Sequence, residues 1–141
     1  MLMTENVFQL PGKQWWFQYS PQHGWGCETG DGPLWFKERN IFVPLLPLLE
    51  QPFESARKLV KNSGVGSEAI ASFPFEEALI CALNCETDSW APQALDWLEA
   101  DFPLTKALIS ALRVIPEKKN FSQQVRHRAF ALVKRWEKQN A

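Results

Sequence analysis

The clearest hydrophobic periodicity in the chain lies near its end, between Ser122 and Gln139. There Val125, Ala129, Leu132, Val133 and Trp136 recur at helical spacing, so one face of an α-helix is apolar. Arg126, Arg128, Lys134, Arg135 and Lys138 fall outside that stripe, which predicts a helix that is basic wherever it is not buried. Ser122 stands in the N-cap position, where its hydroxyl can accept from a free amide of the first turn. Earlier segments repeat the pattern. Phe53, Ala56, Leu59 and Val60 predict a helix that stops near Asn62–Ser63–Gly64. Phe75, Ala78, Leu79, Ala82 and Leu83 predict another, starting after Pro74. Ala91, Ala94, Leu95, Leu98 and Phe102 give a third, with Pro92 in the first turn, where a missing N–H is harmless. Leu104, Ala107, Leu108, Ala111, Leu112 and Ile115 give a fourth, ended by Pro116. Leu45, Leu46, Leu48 and Leu49, broken by Pro47, predict a short helix or turn, and 62–72 reads as a loop with one polar turn.

The first forty residues follow a different pattern. They hold four of the seven tryptophans and five of the seven glycines. Trp15–Tyr19 and Leu34–Phe36 have strand character, and the intervening SPQHGWGCETGDGP is rich in turn formers. A β-hairpin with a long structured loop, or an irregular lobe, is the reading. The expectation is therefore a mostly α protein, α+β at most. It is one domain over 1–141, with a Trp/Gly-rich lobe at 1–43 and a helical part at 44–141. Short connections between the helices predict antiparallel helical hairpins or a compact bundle.

Composition narrows the setting. With 45% hydrophobic residues the chain can build a core, and no apolar run reaches the roughly 18 residues of a membrane span. The start, MLMTENVFQL, lacks the basic and apolar regions of a secretory signal, and three cysteines suggest no disulfide framework. A cytoplasmic protein with no membrane contact is expected. The net charge of −1 conceals a strong asymmetry. Residues 104–141 carry nine Lys/Arg against two Glu, a net +7, while 1–103 carry six against fourteen acids, a net −8. Such polarity can steer association with a partner, or the two halves can compensate each other. A nucleic-acid partner is disfavoured, because binders of DNA or RNA tend to be basic overall and the pI here is about 6.1.

Candidate chemistry is sparse. His23 and Cys27 in HGWGC, with Cys81 and Cys85 one helical turn apart, supply four zinc-competent ligands, the number a tetrahedral site needs. The opposing view is that these cysteines are small buried residues. Cys27 with His23 or His127 could also form a nucleophile and base, although no signature surrounds it. CETGDG resembles a calcium loop but lacks the alternating ligands of an EF-hand. Glu76-Glu77 suit a helix first turn, and Glu99/Asp101 form another acidic pair. No phosphate loop or nucleophile elbow is present. Trp25, the aromatic inside the loop, is a candidate contact for a partner.

Val125-Arg126-His127-Arg128-Ala129, followed by Leu132, resembles the second helix of a HEAT repeat. Residues 91–137, with Leu104–Ile115 as the partner helix, carry the resemblance to HEAT and armadillo packing. It implies a scaffold that binds another protein. The sequence thus favours a non-enzymatic interaction or adaptor module without a cofactor, using Arg126, Arg128, Lys134, Arg135 and Trp25. The alternatives are a zinc-binding or Cys-dependent protein centred on His23, Cys27, Cys81 and Cys85, and nucleic-acid binding through the last helix.

Overall fold

A computed structural model describes residues 5–10, 12–85, 89–100 and 102–141. Helices dominate, accompanied by one small antiparallel sheet. The chain divides into two compact units, Met1–Phe75 and Glu76–Ala141.

In the first unit the strands are β1 (Glu5–Phe8), β2 (Phe17–Ser20), β3 (Gly24–Glu28) and β4 (Pro33–Trp35), paired in chain order. The expected loop between two strands therefore contains a strand of its own, GWGCE. Its glycines read as turn formers in sequence, but each has a structural use. Gly24 takes a positive φ of 81°, which turns the chain back into β3. Gly26 faces Trp35 across the ladder, and a Cβ there would stand 2.3 Å from the Leu34 carbonyl and 2.6 Å from the Trp35 ring. The register sets Phe17 opposite Cys27 and Tyr19 opposite Trp25, so these four side chains share one face. Phe8, Phe17, Trp25 and Phe73 cluster there with centroids 4.6 to 6.2 Å apart, Phe8 stacked on Phe17 and Trp25 meeting Phe8 and Phe73 edge to face.

The unit continues through α1 (Phe36–Arg39) and a 3-10 segment, Val43–Glu50, in which Leu45, Leu46, Leu48 and Leu49 are all buried. Pro47 is the reason this run is not α-helical, since it removes a donor and crowds the preceding turn. Next come α2 (Phe53–Lys61) and α3 (Ser67–Ala71). The segment expected as a loop thus holds a helical turn, whose Ala69 is buried.

The second unit holds α4 (which starts at Phe75 and runs to Asn84), α5 (Ala91–Glu99), α6 (Lys106–Arg113), a 3-10 turn at Ile115–Glu117, and α7 (Gln123–Gln139). α7 packs against α5 and α6. The Ser122 hydroxyl accepts from the Val125 amide at 3.2 Å and Thr105 does the same for Leu108, so both helices start on a side-chain cap. Val125, Ala129, Leu132 and Val133 are buried as the periodicity requires. Trp136 departs from that expectation, for it is only half-buried and lies under the Arg113 guanidinium at 5.9 Å. Asp101, expected beside Glu99, lies outside the described residues. No helix among the described residues is long and apolar enough to cross a membrane.

Candidate partner-binding face

The charge polarity seen along the sequence does not follow the division into units. Residues 1–75 hold six Lys/Arg against seven acids, and residues 76–141 hold nine against nine. Within the second unit, part of the basic character of α7 is used internally. Arg128 reaches α5, where its guanidinium donates to Glu99 at 2.7 and 3.1 Å and to Asp96 at 2.6 Å. The hydrogen bond that Arg128 donates to Glu99 holds the Arg128 pKa above its ordinary value, against the opposing effect of burial and with further help from Asp96. Arg135 points the same way, toward the Leu98 carbonyl at 3.4 Å. These two of the four expected contact arginines and lysines thus fasten α7 to its neighbour.

The opposite flank of the apolar stripe is different. Arg126, Phe130 and Lys134 follow one another at four-residue spacing, so they line up along the helix surface. Phe130 is 52% exposed, one of three large apolar side chains left open among the described residues, and Val114 nearby in sequence is another at 45%. Two hollows meet at its ring. One, about 330 Å³, is lined by Pro116, Gln123, Arg126, His127 and Phe130. The other, about 300 Å³, includes Arg113, Pro116, Glu117, Phe130, Lys134 and Glu137. In the second hollow charge is already balanced, as Glu137 pairs with Arg113 at 3.0 Å and with Lys134 at 3.5 Å. In the first it is not, and the Arg126 Nε is sheltered from solvent with no hydrogen-bond partner among the described residues.

Phe130 was not singled out by the sequence pattern because it lies outside the buried stripe. That position is itself the signal: a large apolar residue set among Arg126, Arg128 and Lys134, with the Lys134 ammonium 5.3 Å from its ring, stays about half in water.

The other candidates are placed elsewhere. Trp25 does not offer a ring to a partner: it is buried, and its indole N–H donates to the Ala69 carbonyl at 2.8 Å. Strand β3 turns it inward because it sits opposite Tyr19 on the covered face. His23 is held by Glu38 through Nδ1 at 2.6 Å and stacks on Trp35 at 5.0 Å. Cys27 is buried in the sheet, and loss of hydration pushes its thiol up to about 11. Cys81 is raised by burial and then by Cys85, whose Sγ–H donates to the Cys81 carbonyl at 3.3 Å. No group of three or more His, Cys, Asp or Glu side chains that could hold a metal occurs among the described residues. Beside Cys27 a groove of about 590 Å³ is walled by Trp15, Val43, Pro44 and Pro47, with Glu28 as its charged group. Neither His23 nor His127 lines it.

Comparison with protein-family models, with curated proteins and with solved structures gives no match.

Proposed function

We propose that this chain is a protein-interaction module that works without chemistry of its own and presents the Arg126–Phe130–Lys134 flank of α7 to another protein. The observation that carries the reading is Phe130, 52% exposed between two hollows on a helix whose Arg128 and Arg135 are engaged with α5. Aromatic rings and arginines are both enriched at protein interfaces, and arginine is among the residues that contribute most binding energy there. The Phe130 ring gives no stability to the isolated fold in proportion to its size, because about half of it remains in water. The likeness of Val125–Leu132 to a HEAT-repeat helix points in the same direction, toward a scaffold that displays a helix face. The protonated state of Cys27 argues against a thiolate nucleophile in the sheet.

The reading is tested with Phe130→Ser, after a partner has been recovered on the wild-type protein. Retention of that partner should fall steeply while the melting temperature stays unchanged. Undiminished retention by a folded Phe130→Ser protein contradicts the proposal.

A further inference from the structure

Resting on the interaction reading above, we infer that the partner presents an acidic segment whose Asp or Glu side chain enters the hollow between Arg126 and Phe130. The hollow of about 330 Å³ is bounded by Arg126, His127, Gln123, Pro116 and the Phe130 ring, and none of these is an acid. Arg126 makes no ion pair among the described residues, whereas Arg113, Arg128 and Lys134 each have a carboxylate partner. Its Nε is sheltered from solvent and has no acceptor among the described residues. With no acid lining the hollow beside it, Arg126 leaves its charge uncompensated there. A carboxylate suits Arg126 in two ways, as counter-charge and as a planar acceptor for the guanidinium fork.

Phe130 and Pro116 border both hollows and form an apolar ridge between them. A segment crossing the ridge would lay an apolar side chain on the ring and set its acid down beside Arg126. The second hollow fixes which way the charge runs. There Glu117 and Glu137 balance Arg113 and Lys134, so it offers no net attraction to a further acid. A peptide carrying one acid and a neighbouring apolar residue therefore matches the flank better than a polyanion does. A phosphate backbone would bring evenly spaced negative charge onto Glu117 and Glu137, which favours a protein segment over a nucleic acid.

The test uses the full chain and fluorescein-labelled helical peptides of about fifteen residues. One carries Glu and Leu at four-residue spacing, a second has every Glu replaced by Gln, a third by Lys, and a single-stranded oligonucleotide is the fourth probe. Binding is read by anisotropy at low and at moderate salt. The Glu peptide should bind, weaken with salt, and lose about tenfold or more in affinity on Arg126→Gln or on Glu-to-Gln replacement. Arg126→Lys should fall between, because it keeps the charge and loses the fork. An unchanged melting temperature in each variant guards against unfolding. No binding of the Glu peptide, equal binding of the Gln peptide, tighter binding of the oligonucleotide, or indifference to Arg126→Gln overturns the inference. If position 130 contacts a partner whose docked segment holds no acid, this inference falls while the interaction reading stands. If a partner docks elsewhere on the chain, the interaction reading falls too.

Discussion

The indole N–H of Trp25 donates to the carbonyl of Ala69 at 2.8 Å, across 44 residues of sequence. The bond ties strand β3 to the end of α3, and Phe73 stacks on the same ring at 4.8 Å. Trp25→Phe keeps an aromatic ring but loses the donor. The Ala69 carbonyl retains the Ser72 hydroxyl at 3.0 Å, so the cost should be limited to about 1–2 kcal/mol. Trp25→Ala should cost about 3–5 kcal/mol, because it also opens a cavity. Urea denaturation of the three proteins measures both.

Gly26 and Gly30 separate two reasons for glycine. At Gly26 a methyl group meets a backbone carbonyl at 2.3 Å, so Gly26→Ala should shift β4 and destabilise by about 2 kcal/mol or more. At Gly30 there is open space but a φ of 90°, and Gly30→Ala should cost only about 1 kcal/mol of backbone strain. Equal effects in thermal melts would contradict this assignment.

Cys27 should be the last of the three thiols to react with a disulfide reagent at pH 8, since its thiol is pushed up to about 11. The raised value also fixes the sign of a stability effect. The folded form holds the proton more tightly than the unfolded one, so the contribution is complete below the ordinary thiol value of 9.0. It is lost as pH climbs from there through about 11. The fall in stability between pH 8 and pH 11 should therefore be smaller in Cys27→Ala than in the wild type.

Arg128 and Arg126 sit two residues apart and should behave oppositely. Arg128 bridges Asp96 and Glu99, which are 70% and 42% exposed, so solvent screens the pairs. Arg128→Met should lower stability by about 1 kcal/mol or less, with the difference shrinking as salt rises. Arg126→Gln should leave stability within about 0.5 kcal/mol, because no ion pair is lost.

These contrasts explain how far the sequence could be read. The helices from α4 to α7 follow their apolar spacing closely, because each buries one stripe, and α6 and α7 also start on a Thr and a Ser cap. The sheet was half legible. Phe17 and Trp35 announced strands, but Gly24 and Gly26 hid β3, since the residues that make its turn and its close packing are the same ones that mark loops. α3 was missed because Ala69 and Ile70 give a single turn too little periodicity. The basic helix was visible as a composition, yet its two flanks were not. Which arginines remain open depends on Asp96 and Glu99 arriving from another helix, and no spacing within α7 encodes that.

The most direct measurement places a photo-crosslinking phenylalanine analogue, which keeps an aromatic ring, at position 130 in the native cell, with position 58 on α2 as the reference. The Arg126–Phe130–Lys134 account predicts one discrete covalent adduct from position 130, absent from position 58 and abolished by Arg126→Gln. An adduct formed equally from both positions, or from position 58 alone, would contradict it.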